Sequence, residues 1–119
     1  MNWTPKEIGP QEGTSYSDLM SFPVDARHNA GFQMGRLQIG LDPTDWKPFT
    51  GLAKGIKGVK EIRIWTREGI YRVIYTLKFG DANGVLHCFE KNAWQTRKKD
   101  INLIVKRFKE ARNRYQPHI

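Results

Sequence analysis

From Val59 to Phe89 the chain reads VKEIRIWTREGIYRVIYTLKFGDANGVLHCF, and its two-residue alternation constrains the fold more than any other feature. Side chains of a β-strand point to opposite faces in turn, so Ile62 and Ile64 face one way while Glu61, Arg63 and Trp65 face the other. Arg67-Glu68-Gly69 supplies a turn, and Ile70 to Phe79 resumes the alternation with Tyr71, Val73, Tyr75, Leu77 and Phe79 on one apolar side. Arg72 therefore falls on the opposite side. Gly80-Asp81-Ala82-Asn83-Gly84 has the composition of a second hairpin turn, leading into a third strand over Val85 to Phe89. With Leu86 and Cys88 turned to the core, Val85, His87 and Phe89 join Arg63 and Arg72. The expectation is a small, curved antiparallel sheet with one packed and one cationic face.

The flanks complete an α+β fold with three to four strands. Ser21-Phe22-Pro23 reads as a helix start with Ser21 as N-cap. Val24, Ala30, Gly31, Met34 and Leu37 form an imperfect apolar stripe that runs out at Gly40. Residues 41–58 carry Asp42-Pro43, Lys47-Pro48 and three glycines, so they predict an ordered connector anchored by Trp46 and Phe49. After a loop over Glu90 to Gln95, Thr96 can cap a closing helix. Its Ile101, Ile104, Val105, Phe108, Ala111 and Tyr115 follow a 3.6-residue period and should pack inward, with Lys98, Lys99, Lys106, Lys109 and Arg114 outside. Residues 1–17, rich in Gly, Pro, Ser and Thr, read as a loosely held arm of this single domain, with Trp3 and Tyr16 as packing contacts.

At 119 residues and 39% apolar, the chain has material for one modest core. Lys and Arg number 20 against 12 Asp and Glu, a formal net charge of +8, so its field attracts polyanions. Nucleic acid, the ribosome and an acidic protein all fit that charge. A membrane surface fits it too but is the weakest of these readings: no apolar run approaches the ~20 residues a spanning helix needs, and the first residues lack a signal-peptide pattern. The single Cys88 fits a reducing cytoplasm. His28, His87 and His118 show no metal-ligand spacing, so neither a metal nor another cofactor is expected.

Arginine suits phosphate because its planar, permanently charged fork bonds two oxygens at once. His87 adds a group able to exchange protons near neutral pH. Cations beside one histidine fit metal-free cleavage of RNA, in which a 2′-hydroxyl attacks its own phosphate and the dianionic phosphorane needs charge stabilisation. Each strand arginine taken singly is more readily a solvated surface residue, and a buried hydrogen-bonding histidine is the commoner case for His87 from spacing alone. Phe89 and Trp94, near Lys91, could stack an unpaired base or simply pack in the core. Lys57 precedes the sheet, where phosphate contact is a second use for a solvated lysine.

The segments DWKPFTGL, VKEIRIW and GIYRVIYTLKFGDANGVLHCFEKN, followed by a basic helix led by Thr96, closely resemble the phage-derived, HigB-like branch of the RelE/ParE toxin superfamily over residues 21–115. The resemblance implies a RelE-like fold of helices on an antiparallel sheet, acting as the toxin of a type II toxin–antitoxin pair. It implies metal-independent cleavage of mRNA in the ribosomal A site, with ribosomal RNA contacts, and a helix-turn-helix antitoxin that also binds operator DNA. Arg72 falls where such toxins hold the scissile phosphate, and Arg63 where a basic residue lines the same cleft. His87, Phe89 and Lys91 fall on the branch's His-x-Phe-x-Lys pattern, which ordinarily continues with a second lysine; this chain has Asn92. The resulting catalytic set is Arg72, His87, Lys91 and Arg63, with Arg67, Phe89, Asn92, Lys98, Lys99 and Lys57 on RNA or ribosome. Two other readings stay open: a ParE-like poison that binds a protein such as DNA gyrase, and a plain RNA- or ribosome-binding module.

Overall fold

A computed structural model gives the fold and describes residues 15–78, 84–91 and 97–115. Among the described residues, three helices, α1 (Ser15–Met20), α2 (Val24–Gln38) and α3 (Lys98–Tyr115), accompany four strands, β1 (Trp46–Pro48), β2 (Val59–Thr66), β3 (Gly69–Thr76) and β4 (Gly84–Lys91). The strands form one open antiparallel sheet in the order β1-β2-β3-β4, an α+β architecture as the pattern predicts. The arm's Trp3 and Tyr16, the 80–84 turn's first four residues, Phe79, Asn92, Trp94 and Thr96 lie outside the described backbone or side chains.

Local chemistry explains most boundaries. Helix α2 ends in a Schellman motif: Gly40 takes a left-handed φ of 83°, its N–H donates to Leu37 O (3.1 Å), and the Leu41 N–H donates to Arg36 O (2.9 Å). Its start differs from expectation. Pro23 is the N-cap residue and provides no side-chain cap, while the Ser21 hydroxyl donates to Asp18 O at 2.6 Å, closing the turn after α1. The connector contributes a short edge strand, β1, which pairs Trp46 with Ile62 and Pro48 with Lys60. Proline there limits further pairing at the edge. Lys60 also lies over the Trp46 ring, 4.7 Å from its centroid. Strand β3 stops at Thr76, so Leu77 leaves the ladder and is exposed rather than joining the apolar face.

Two apolar clusters hold the sheet, one on each side. The first joins Ile62, Ile64, Tyr71, Val73, Tyr75, Val85 and Cys88 to Leu19 and Phe22 at the N-terminal end and to Ala26, Ala30 and Met34 of α2. The second joins Val59, Ile74, Leu86 and Phe89 to Ile56 and to Ile104, Phe108 and Ala111 of α3. The expected open cationic face is thus corrected: α3 lays its apolar stripe across part of it. Val24, expected in the α2 stripe, is exposed, and Gln33 is buried there through bonds to Thr44.

A second correction concerns β4. Ile74 pairs with His87 but Tyr75 pairs with Val85, so a bulge accommodates Leu86. One extra residue reverses the parity of everything beyond it. Val85, expected beside the arginines, packs in the first cluster, and Leu86, expected with Cys88, packs under α3.

Candidate functional site

The register puts Arg63 opposite Arg72, and Arg72 opposite Phe89, so these three occupy one row across the sheet. His87 lies two residues along β4. Alternation therefore gathered the intended side chains onto one face, but each charged one has an acidic neighbour. Arg72 is buried and its Nη1 lies 3.2 Å from Oε2 of the fully buried Glu61, at ion-pair distance but without the alignment of a hydrogen bond. Lys47 approaches the other Glu61 oxygen at 3.4 Å from the solvent side. Arg63 donates through Nε (3.1 Å) and Nη2 (2.7 Å) to Asp45 Oδ1, while the Trp65 indole donates to Asp45 Oδ2 at 2.7 Å. The Trp65 hydrogen bond and, against a smaller burial effect, the Arg63 contact hold the Asp45 carboxyl below its ordinary range.

His87 is buried at the meeting point of α1, β4 and α3, its ring stacked on Phe89 with centroids 5.1 Å apart. Nδ1 lies 3.1 Å from Asp18 Oδ2, and Nε2 lies 2.8 Å from Asp100 Oδ1. Arg107 Nη1 donates to the same Asp18 oxygen (2.8 Å) and to Leu86 O (2.9 Å). The other Asp100 oxygen accepts from Arg97 Nε at 3.0 Å. Burial opposes ionisation of both acids, but the hydrogen bonds with His87 and Arg107 hold the Asp18 carboxyl below its ordinary value. Those with His87 and Arg97 do the same for Asp100. A five-residue polar network thereby bonds both ring nitrogens of the buried His87, which fixes the imidazole in place.

A cleft of about 620 Å³ opens beside this network, walled by His87, Phe89, Arg97, Lys99, Asp100 and Lys106 among others. Of the residues proposed from sequence, it gathers His87, Phe89 and Lys99. Lys98 is exposed on the first turn of α3, and Arg67 is exposed in the β2–β3 turn. Lys57 lines a separate hollow of about 290 Å³ formed by residues 48–52 and 56–60. Lys91 ends β4 opposite Ile70; its side chain, like Asn92, lies outside the described residues. Among the described residues no cluster of three or more His, Cys, Asp or Glu is arranged to hold a metal ion. No described helix is long and apolar enough to cross a membrane.

Asp18, Arg97, Asp100 and Arg107 were not singled out from sequence. For two of them a signal existed: Asp100 and Arg107 fall on the same helical stripe as Ile104, Phe108 and Ala111, and a charge within an apolar stripe requires a buried partner. Asp18 reaches its partners from 69 and 89 residues away and leaves no local trace.

A family model described as phage derived protein Gp49-like (DUF891) matches residues 17–109, from Ser17 just before Asp18 to Lys109 two residues past Arg107. The chain belongs to the Gp49-like family. Gp49-like proteins form a phage-derived, toxin-like family related to the toxins of toxin–antitoxin pairs. The matched segment takes in the whole sheet and every member of the His87 network, so the network sits inside the part that defines the Gp49-like match. No curated protein matches the chain.

Proposed function

We propose that this Gp49-like chain is the toxin of a type II toxin–antitoxin pair in the HigB-like branch of the RelE/ParE superfamily, and that it cleaves mRNA on the ribosome without a metal ion. The observation that carries the reading is the cleft itself: a histidine clamped at both ring nitrogens, stacked on a phenylalanine, beside Arg97, Lys99 and Lys106. The net charge of +8 favours a polyanionic substrate. In the reaction the 2′-oxygen bonds to phosphorus as the P–O5′ bond breaks. The 2′-hydroxyl proton passes to a base, the 5′-oxygen takes up a proton, and a 2′,3′-cyclic phosphate and a 5′-hydroxyl remain. His87 serves proton transfer, and cations at the mouth stabilise the phosphorane. Arg72 and Arg63 contribute by exchanging Glu61 and Asp45 for phosphate oxygens, and Lys91 adds charge at the end of β4. The partner is a helix-turn-helix antitoxin, and the setting is the cytoplasm.

One observation favours a second reading. Arg63 and Arg72 already hold carboxylates, as suits a scaffold that binds a protein target such as DNA gyrase without cutting RNA. Expression in a growing culture, followed by mapping of transcript 5′ ends, separates the two. Cleavage within translated frames, relieved by His87→Ala or Arg72→Ala, supports the nuclease. Intact transcripts with an SOS response overturn it.

A further inference from the structure

The cleft contains a cation that no strand alternation predicts. Arg97 stands at the entrance to α3 with its side chain half exposed. Its Nε is committed to Asp100, leaving its two terminal amino groups without a partner among the described residues. Asp100 is almost wholly buried and divides its two oxygens, one to His87 Nε2 and one to Arg97 Nε. One carboxylate therefore orients both the mouth arginine and the buried histidine. A guanidinium fixed through Nε presents its terminal nitrogens as a fork, the geometry that receives two oxygens of one phosphate. Lys99 and Lys106 line the same cleft two helical turns apart, about 10 Å along α3, and supply further positive charge.

We infer that Arg97, held in place by Asp100, is the phosphate ligand of this cleft, and that the ligand is a phosphodiester of single-stranded RNA stationed beside His87. Asp100 is then a positioning residue for both side chains. The inference deepens the nuclease reading and rests on it for the identity of the substrate. Its chemistry differs from that of Arg72 and Arg63: no exchange is required, because the terminal nitrogens of Arg97 carry no carboxylate among the described residues.

The test uses the full chain and a short single-stranded oligoribonucleotide methylated at every 2′-oxygen, which binds but has no free nucleophile. Arg97→Ala should weaken binding about tenfold and lower the salt slope of the affinity by about 1. Arg97→Lys should recover only part of the affinity, since an ammonium lacks the fork. Lys109→Ala, farther along the exposed side of α3, should cost much less than Arg97→Ala. Asp100→Asn should weaken binding as well, and the double variant Arg97→Ala/Asp100→Asn should bind no worse than Arg97→Ala alone. That non-additivity is the mark of Asp100 acting through Arg97 rather than through general stability. Equal losses for Arg97→Ala and Lys109→Ala overturn the inference, leaving only a diffuse cationic surface. Additive losses in the double variant overturn the positioning role. Because the probe cannot be cut, these outcomes are independent of catalysis. Arg97-dependent binding with no cleavage on ribosomes rejects the nuclease reading alone, whereas cleavage unaffected by Arg97→Ala rejects this inference alone.

Discussion

Replacing Asp100 by Asn tests whether the polar network is a stabilising unit as well as a site. The carboxylate is 5% exposed and bonded to His87 and Arg97, so the amide keeps one acceptor but turns an NH2 donor toward a second donor. A hydrogen bond to a charged group contributes roughly 1.5–3 kcal/mol. The Arg97 arm, half in solvent, adds little to that. The expected loss is about 3 kcal/mol at neutral pH, a fall in Tm of about 10 °C for a chain of this size. The pH dependence has a definite sign. The folded Asp100 carboxyl lies below its ordinary value of 3.8, so folding favours the ionised form. Its contribution is complete above the unfolded pKa and is lost as pH falls through the folded one. Asp100→Asn lacks this titration, so the stability gap from wild type should close in acid. Asp18 titrates in both proteins and cancels. Urea unfolding from about pH 7 down to about pH 2 measures the gap. A gap that persists unchanged in acid, or no gap near neutrality, would refute the assignment of the stabilisation to the Asp100 charge.

Glu61→Gln should cost about 3 kcal/mol, because it removes the buried negative charge that faces the buried Arg72 guanidinium; the paired change Glu61→Leu/Arg72→Met should recover most of that in the same urea titration. Phe108→Ala, which opens a cavity in the cluster beneath α3, should cost about 3–5 kcal/mol in the same assay. Burial pushes the Cys88 thiol well above its ordinary range, so iodoacetamide should label the native chain far more slowly than the urea-unfolded one, and comparable rates would contradict its packing.

Much of the sheet was legible because period-two alternation is a local signal. It set β2, the β2–β3 turn and the row of Arg63, Arg72 and Phe89 that the register bears out. It failed at Leu86, where a bulge depends on how β4 meets its neighbours and not on any residue within it. The open cationic face failed for a related reason. Charged and apolar residues alternate along the strands, yet Ile74, Leu86 and Phe89 on that side are enough to seat α3. Of the two acids beside the arginines, Glu61 stands on the arginine face by the same alternation, whereas Asp45, in the connector, lies 18 residues before Arg63. The Asp45 contact is settled by tertiary packing, so a sequence read by its periods sees Arg63 and misses that partner. His87 was foreseen both as a proton-transfer residue and as a buried hydrogen-bonding one; the structure makes it buried and bonded, and its chemistry is the proposal above.

The most direct measurement of the central claim is cleavage of a defined mRNA by the purified chain on translating ribosomes in the presence of a metal chelator matched to keep the ribosomes intact, with primer extension to locate the ends. The account predicts discrete cuts within the translated frame, bearing 2′,3′-cyclic phosphate and 5′-hydroxyl termini, and their loss with His87→Ala. Intact mRNA with the wild-type chain, or equal cutting by His87→Ala, would contradict it.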